Sequence, residues 1–373
     1  MKKHNAAPIA LIVLFCGFLA FFVLATLFAP RETFSEKEKR VLASMPELTA
    51  DSVLDGTFES GFEGWLSDHI AFRDTLVGVN AVYEQVSGRN GLSGVILTKD
   101  RRLLAAPDPY DEAAVRKKCE TINAFAGTTG LPTQLMLIPT NGYMHEDQLP
   151  ALHARYHDGD AVRVVRETLD PGIEFLWPEE AFRAQGDAEL YYRTDHHYTS
   201  RGAYEACSLF AQSLGMTLPG TEAFDIQSVG GFYGSMYAKA GLWSIPPDTI
   251  ELWRGPAGAN VNVSFDDREP SDTMFFESHL DSMDKYPVFM DGNHALVTIE
   301  TGREGDTLLL IRDSFGHCFA PFAAECFSKI ILADLRYYRL PLSELAQREG
   351  VDRVLVLYGM DTFLTDTNFA WLK

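Results

Sequence analysis

The sequence has few cysteines, and no two of them form a C-x-x-C pair. Five cysteines occur in 373 residues, and their spacing gives no support for a zinc site or a dithiol redox motif. Basic residues are also scarce, because 32 lysines and arginines stand against 52 aspartates and glutamates, a net charge of −20. That average field would repel a polyanion, which disfavours nucleic-acid binding. With 29 glycines and 18 prolines, collagen-like and low-complexity architectures are excluded.

What is present is the composition of a globular protein. Hydrophobic residues make up 46% of the chain and charged residues 23%, which is enough for a large buried core in one or two domains. The four cysteines beyond the first thirty residues are an even number but widely spaced, so four free thiols and two disulfides both remain open. They are Cys119, Cys207, Cys318 and Cys326.

One long apolar run stands near the amino terminus. It extends from Ala7 to Ala29 without a charged residue, and Lys2 and Lys3 precede it. A helix needs about 20 apolar residues to cross the hydrocarbon layer, whereas the apolar region of a cleaved signal peptide is usually about 7–15 residues. The run therefore predicts an uncleaved transmembrane signal anchor at residues 7–30, with cleavage as the alternative.

The two lysines predict the orientation of this anchor, because basic residues remain on the cytoplasmic side. Residues 1–6 would form a cytoplasmic tail, and the chain from Arg31 onward would lie outside the cytoplasm in the cell envelope. No second apolar run approaches 18 residues, which predicts a single-pass membrane protein. The outer part holds 30 of the basic and all 52 acidic residues, a net charge of −22.

The outer part divides by its hydrophobic pattern. Residues 31–110 predict a juxtamembrane linker and a helical region, since apolar residues recur at helical spacing from 52 to 86. After residue 110, short apolar runs alternate with helical patterns; these runs are 134–138, 172–177, 307–311, 329–333 and 353–358. Such strands separated by helices indicate an α/β fold with a parallel sheet covered on both faces. Residues 220–306 break the alternation and predict a β-rich, antiparallel insertion.

Asp195 and His197 form the first candidate for chemistry. If their segment is extended, the two side chains share one side, so the carboxylate can fix the imidazole tautomer and leave the other ring nitrogen as a base. His196 would then point away. A polar loop with packed histidines is the alternative. A metal site on His196 and His197 is less favoured, because no third ligand is evident nearby.

Ser314 is the second candidate, just beyond the apolar run 307–311. A strand-to-helix turn places such a serine at the carboxyl edge of a parallel sheet, where open α/β folds bind ligands. The amino end of the following helix offers N–H groups to a developing oxyanion. The alternative is that Ser314 only caps this helix.

Together the two segments supply the parts of a nucleophilic serine site. A serine needs a base, and the base needs an orienting carboxylate, which the chain offers in Ser314, His197 and Asp195. His317 is a rival base one turn beyond Ser314, without an obvious carboxylate partner.

The motifs resemble those of the DHHW family of cell-envelope proteins, which are similar to the SGNH-hydrolase-like proteins that acetylate alginate (AlgX/AlgJ type). The resembling segments are Thr194–Tyr198, Gly202–Tyr204, Asp313–Gly316, Phe34–Arg40, Trp65–Asp74, Gly234–Tyr237 and Asp334–Tyr338. Tyr198 stands where the name-giving tryptophan would be, a mild departure that keeps an aromatic wall. The resemblance covers nearly all of the outer part.

The resemblance implies an SGNH-like (flavodoxin-like) catalytic domain at residues 111–373 that moves an acetyl group to or from an envelope polysaccharide. Ser314 would be the nucleophile, His197 the base and Asp195 the orienting carboxylate. A multipass acyltransferase of the MBOAT type would be the partner that donates the acetyl group. No metal or other cofactor is implied. O-acetyltransferase, acetylesterase and non-catalytic polysaccharide-binding or scaffold protein remain three hypotheses.

The oxyanion donor and the sugar contacts are less defined. The asparagine donor expected of a true SGNH hydrolase cannot be placed. Backbone groups near Ser314 and Gly234, or the Arg336 side chain, are the substitutes. Gly234 could instead be a simple turn, and Arg336 could pair with Asp334. Aromatic side chains that could stack on a sugar are Tyr143, Trp243 and Tyr337.

Overall fold

A computed structural model describes residues 6–373 except Gly91, Asp187 and Asp267. The chain divides into two units. The first contains the residues up to Arg89 with Gly241–Trp243, and the second contains Asn90–Ala240 with Ser244–Lys373.

The first unit begins with the helix α1, Ala6–Phe28. Its segment Pro8–Phe28 is long and apolar enough to cross a membrane, and no other helix in the described part of the chain is. This agrees with the apolar run seen in the sequence. Lys2 and Lys3, on which the predicted orientation depends, lie outside the described residues.

The rest of the first unit is mainly helical. Its elements are β1 (Phe34–Ser35), β2 (Arg40–Val41), α2 (Ala50–Leu54), α3 (Thr57–His69) and α4 (Arg73–Val86). The predicted helical stretch 52–86 is therefore interrupted twice. Gly56 and Phe72 adopt left-handed backbone conformations, with φ of 79° and 62°, and each stands immediately before a new helix.

The second unit alternates strands and helices. Its first half contains β3 (Val95–Leu97), β4 (Leu103–Ala105), α5 (Glu112–Thr129), β5 (Thr133–Ile138), α6 (Asn141–Met144), α7 (Asp158–Thr168), β6 (Glu174–Leu176), α8 (Glu179–Arg183) and α9 (Ser200–Ser213). Its second half contains β7 (Asp225–Phe232), α10 (Ser235–Ala240), β8 (Asp248–Arg254), β9 (Asn262–Phe265), β10 (Leu296–Glu300), β11 (Thr307–Arg312), α11 (Phe315–Ala323), β12 (Lys329–Ala333), α12 (Leu342–Glu349), β13 (Arg353–Gly359) and α13 (Met360–Thr365).

A seven-stranded sheet organises this unit, in the order β6-β5-β13-β11-β12-β10-β9. The first five strands are parallel, and β10 and β9 extend the sheet antiparallel at one edge. The predicted α/β fold with a largely parallel sheet is confirmed. The predicted β-rich region 220–306 contains four strands: β7 and β8 pair with each other, and β9 and β10 join the main sheet, all in antiparallel pairs.

Alternate residues of a strand belong to two different hydrophobic cores, one on each face of the sheet. Leu308 and Leu310 of β11 belong to a core that includes residues of α9 and α11. Leu309 and Ile311 belong to a core with residues of α5, α7 and α12. Because neighbouring residues of a strand point to opposite faces, this division explains why the strand is apolar throughout and why helices cover both faces.

The cysteines resolve the alternative that the sequence left open. All five are free thiols, and Cys119, Cys207 and Cys318 are buried. Burial raises the pKa of the Cys119 and Cys318 thiols to about 12, so these thiols stay protonated and unreactive at neutral pH.

Candidate active site

Ser314 lies in the sharp turn between the carboxyl end of β11 and the start of α11. It occupies the cap position of α11, yet its side chain makes no capping hydrogen bond. Its hydroxyl instead contacts His197. A Cβ at Gly316 would lie 2.7 Å from Cβ of Arg312, so this tight turn needs glycine there. The alternative in which Ser314 serves only as a helix cap therefore finds no support in the geometry.

Asp195, His197 and Ser314 form a continuous chain of hydrogen bonds. His197 Nδ1 lies 2.5 Å from Asp195 Oδ1, and His197 Nε2 lies 2.7 Å from Ser314 Oγ. Asp195 and His197 are buried, and Ser314 is half-buried. The structure thus brings together the three side chains that were singled out in the sequence.

The loop that carries Asp195 and His197 is bent rather than extended. An antiparallel bridge between Tyr191 and Tyr198 closes it. His196 consequently does not point away as predicted: its Nδ1 lies 3.5 Å from Asp195 Oδ1 and its ring centroid 3.9 Å from that of His197. That prediction was wrong because the bridge folds the segment back on itself.

Backbone donors hold the Asp195 carboxylate in place. The Ser235 N–H donates to Oδ2 at 2.6 Å, and the His197 N–H donates to Oδ1 at 3.0 Å. Ser235 can come this close because its neighbour is Gly234, where a Cβ would lie only 2.2 Å from Cβ of Asp195. One carboxylate therefore fixes both the position and the tautomer of His197.

A second buried carboxylate supports the loop from behind. Asp248 accepts hydrogen bonds from the Thr194 N–H and hydroxyl at 2.7 and 2.5 Å and from the Arg193 N–H at 2.8 Å. The Thr194 hydroxyl in turn accepts from the Gly234 N–H at 2.9 Å. These bonds tie the loop to the start of β8 and to the turn before α10.

His197 is held in the neutral form that a general base requires. Burial, reinforced by neighbouring His196, lowers its pKa to about 4, although Asp195 acts in the opposite direction. The Tyr286 ring stacks on the imidazole at 3.9 Å with an interplanar angle of 12°. The Tyr286 hydroxyl donates to the Ser314 carbonyl at 3.1 Å, so one tyrosine contacts both ends of the serine–histidine pair.

Asp313, next to the serine, stabilises the turn itself. Its carboxylate accepts from the Phe315 N–H at 2.9 Å and from the Gly359 N–H at 2.8 Å, which links the ends of β11 and β13. Burial, and then the nearby Asp361, raise the pKa of Asp313 to about 7. Asp313 therefore stabilises the turn, and it forms no hydrogen bond with His197 in the described part of the chain.

Asp195, His196 and His197 also offer ligand atoms that lie within 4.8 Å of one another. A metal at that point would have to compete with the hydrogen bonds to both ring nitrogens of His197. Because a ligating nitrogen cannot also accept a proton, metal binding and a base role for His197 exclude each other.

The remaining residues singled out in the sequence lie in other contacts. The Gly234 N–H is already bonded to Thr194. The Arg336 side chain makes two hydrogen bonds to Asp334, at 2.9 and 2.6 Å. His317 is buried, its Nε2 has no partner among the described residues, and burial lowers its pKa well below the ordinary value.

The three candidate stacking aromatics also have defined surroundings. The Tyr143 hydroxyl donates to Glu179 at 3.3 Å. Tyr337 is exposed, with the Arg336 guanidinium 5.5 Å from its ring centroid. Trp243 belongs to the first unit, where its Nε1–H donates to the Asp74 carbonyl at 2.7 Å.

Several supporting residues were missed in the sequence. Tyr286 lies in a short 3-10 turn, Tyr286–Val288, where no periodic pattern marks it. Asp248 opens a short strand and resembles any exposed acid in the sequence. Asn141 follows β5 and donates to the Tyr192 and Asp195 carbonyls at 3.1 and 3.4 Å. Its place at the carboxyl edge of the sheet was the one available signal.

Comparisons with known proteins agree with this architecture. Residues 168–333 match the DHHW protein family, and residues 101–231 match the family described as SGNH hydrolase-like domain, acetyltransferase AlgX. The comparison with curated proteins gives no match.

Two solved structures share the fold. A DHHW family protein from Eubacterium siraeum superposes with a TM-score of 0.64 at 21% identity, covering 75% of this chain and 95% of that one. PatB1 from Bacillus cereus, solved with a sulfonyl adduct, gives a TM-score of 0.65 at 17% identity, covering 76% of this chain and all of that one (100%). At such identities the likeness concerns the fold alone. The resemblance predicted from the sequence is confirmed: residues 168–333 are similar to the DHHW family and residues 101–231 to the SGNH hydrolase-like, AlgX-type family.

Proposed function

We propose that this protein is an O-acetyltransferase that acts outside the cytoplasm on a cell-envelope or exported polysaccharide through an acetyl-serine intermediate. The observation that carries the proposal is the unbroken hydrogen-bonded chain from Asp195 through His197 to Ser314. The match of residues 101–231 to an acetyltransferase family supports acyl transfer as its chemistry.

The first half-reaction forms the acetyl-serine. Ser314 Oγ attacks the carbonyl carbon of an acetyl donor while its proton passes to His197 Nε2. Asp195, hydrogen-bonded to Nδ1, stabilises the imidazolium that forms. His197 then returns the proton to the leaving group as the bond between that group and the acetyl carbon breaks. The amino end of α11, which begins directly after Ser314, would favour the negative charge that develops on the carbonyl oxygen.

The second half-reaction repeats these steps with the acceptor. A sugar hydroxyl gives its proton to His197 Nε2 and attacks the acetyl carbon, and Ser314 leaves with the proton that His197 returns. A small cavity adjoins the site. His196 and Phe315 line it on the side of the serine, and Asn141, Asp158 and Asp361 are among its other walls.

The helix α1 determines on which side of the membrane the proposed reaction takes place. With α1 as a single-pass signal anchor and the amino terminus in the cytoplasm, the second unit would be the catalytic domain outside the cell membrane. The acetyl donor there would be supplied by a multipass acyltransferase of the MBOAT type. An anchor in the same membrane raises the effective concentration of the two proteins for each other without a new contact.

The Ser314→Ala variant tests the proposal. We expect it to lose sulfonylation by a serine-directed sulfonyl fluoride and to abolish acetylation of the polysaccharide, with an unchanged circular dichroism spectrum. Ser235→Ala is the matched control, because its hydroxyl bonds to His196 and its backbone N–H, which holds Asp195, is retained. Normal polysaccharide acetylation in the folded Ser314→Ala variant would mean a non-catalytic binding or scaffold protein.

Transfer and hydrolysis are separated by the fate of the acetyl group. The purified chain is incubated with p-nitrophenyl acetate in the presence and absence of an oligosaccharide, and the products are separated by mass spectrometry. A transferase gives acetylated oligosaccharide and releases p-nitrophenol faster when the acceptor is present. An esterase gives free acetate at a rate that does not depend on the acceptor.

A further inference from the structure

Helix α4, together with Phe72 immediately before it, carries a stripe of apolar side chains that are 41–82% exposed. The four stripe positions within α4 follow one another at intervals of three or four residues, which places them on one side of the helix, and Phe72 stands immediately before the helix begins. They and their exposed fractions are Phe72 at 57%, Leu76 at 41%, Val79 at 62%, Tyr83 at 65% and Val86 at 82%. Large apolar side chains exposed in a continuous row mark a surface that contacts another apolar phase or protein.

The opposite side of α4 is the side that packs within the unit. Ala81 is buried there. A Cβ at Gly78 would lie 2.7 Å from Cδ1 of Trp243, and the Cβ of Gly241 would lie 2.9 Å from Cγ1 of Val77. The stripe therefore faces away from the side of α4 that packs against Gly241 and Trp243.

Contacts with α1 show at which point along that helix the stripe begins. The Phe72 ring stacks on Phe21 at 6.0 Å with an interplanar angle of 8°, and the Ala71 N–H donates to the Thr26 hydroxyl at 3.0 Å. Phe21 lies seven residues before the end of α1 at Phe28, which corresponds to about 10 Å along a helix. Phe72 reaches it through a left-handed backbone conformation, which is uncommon for a bulky residue.

We propose that the stripe of α4 lies in the lipid of the outer leaflet, as a second membrane contact beside the anchor. This inference rests on the proposed membrane crossing of α1. If α1 spans the bilayer, Phe72 sits among acyl chains, and a helix that starts there with five exposed apolar side chains buries them at lowest cost in the same lipid. The alternating spacing would also suit a helix of a second copy, but contact with the anchor at this depth favours lipid.

The charges of α4 predict which lipid composition is enough for the stripe to enter the membrane. The stripe itself has no charged residue, and the rest of α4 carries both signs, in Arg73, Asp74 and Glu84. An interfacial helix without a basic face gains little from anionic headgroups. Vesicles of zwitterionic phosphatidylcholine should therefore be enough.

Fluorescence quenching in the full-length protein tests the stripe. Cys326 is replaced by serine throughout, and the buried Cys119, Cys207 and Cys318 do not react in the native state. An environment-sensitive NBD label is then placed on one thiol at a time: native Cys16 in α1, Val79→Cys in the stripe, or Gln85→Cys on another, exposed side of α4; the last two also carry Cys16→Ser. Each protein is reconstituted in phosphatidylcholine vesicles with nitroxide-labelled acyl chains, or with iodide on both sides.

We expect the label at position 79 to be quenched several-fold more by the nitroxide lipid than by iodide, and the label at position 85 to show the reverse. Quenching of position 79 by iodide would overturn the inference, because the stripe would face water. Protection from both quenchers would overturn it as well, because protein would cover the stripe. The Cys16 label tests the membrane crossing of α1 separately from the stripe. If nitroxide lipid fails to quench the Cys16 label, the membrane crossing of α1 is wrong, whatever position 79 shows.

Discussion

Ser314 Oγ and His197 Nε2 lie 2.7 Å apart although 117 residues separate the two positions in the chain. The serine is placed by the end of a central parallel strand, whereas the histidine comes from a loop that a tyrosine pair closes. Their contact therefore depends on the whole second unit being folded. A hydroxyl and a neutral imidazole at this distance are ready for proton transfer without any movement of the backbone.

The Asp195→Asn variant should keep the fold and lose turnover. An asparagine can no longer accept from the Ser235 N–H, the His197 N–H and the imidazole N–H together, so the wrong tautomer of His197 becomes accessible. Loss of the carboxylate in such a site costs roughly 10³–10⁴-fold in kcat. Steady-state kinetics with p-nitrophenyl acetate and a circular dichroism spectrum measure the two effects.

Glu189→Gln is a suitable control for this change, since it also removes one negative charge near the loop but sits on the surface, 60% exposed. Its turnover should stay within about twofold of the parent, as exposed charges interact weakly. If Asp195→Asn and Glu189→Gln were equally active, Asp195 would have no orienting role.

Activity should extend further into acid than a free imidazole permits. In the proposed mechanism His197 acts as a base only when it is neutral, and burial lowers its pKa from the usual 6.5 to about 4. kcat/KM should therefore stay level from neutral pH down to about 5 and fall only as His197 becomes protonated near pH 4. A pH–rate profile on the purified protein tests this. A fall already centred at pH 6–7 would mean that water reaches the imidazole.

Tyr286 offers a way to separate the ring stack from the hydrogen bond. Tyr286→Phe keeps the ring on His197 and loses only the bond to the Ser314 carbonyl, which is worth about 1 kcal/mol, so kcat should fall about fivefold or less. Tyr286→Leu also removes the stacked ring and lets water reach His197. In that variant the acid limb of the pH–rate profile should move upward towards 6.5. An unmoved acid limb in Tyr286→Leu would show that the ring does not shield the imidazole.

The parallel strands of the sheet could be predicted from the sequence because each main strand is apolar on both faces. The strand predicted at 329–333 is present as Lys329–Ala333, and that at 353–358 as Arg353–Gly359. Continuous apolar runs of this length between helices leave few alternatives. The pattern of β10, in contrast, shows a strand but not its partner, so its place beside β12 could not be predicted.

Only the main residues of the site could be predicted from the sequence. Residue types and their order suggested an acid, a base and a nucleophile, but the bend that brings His196 against His197 depends on the pairing of Tyr191 with Tyr198. The stacking of Tyr286 is likewise a tertiary contact, with no local signal. Sequence reasoning finds groups that must be present for the chemistry and misses those that are placed by packing.

Arg312 and Asp334 form a buried ion pair beneath the serine turn, and its loss should destabilise the fold. Arg312 Nη1 lies 2.9 Å from Asp334 Oδ2, and both side chains are 0% exposed. Arg312→Ala leaves a buried carboxylate with Arg336 as its remaining cationic partner, which should cost about 3–5 kcal/mol in the free energy of unfolding. Arg336→Ala, at a side chain 30% exposed, should cost about 1 kcal/mol. Urea unfolding compares the two variants; equal losses would mean that the buried member of the network does not determine the stability of the turn.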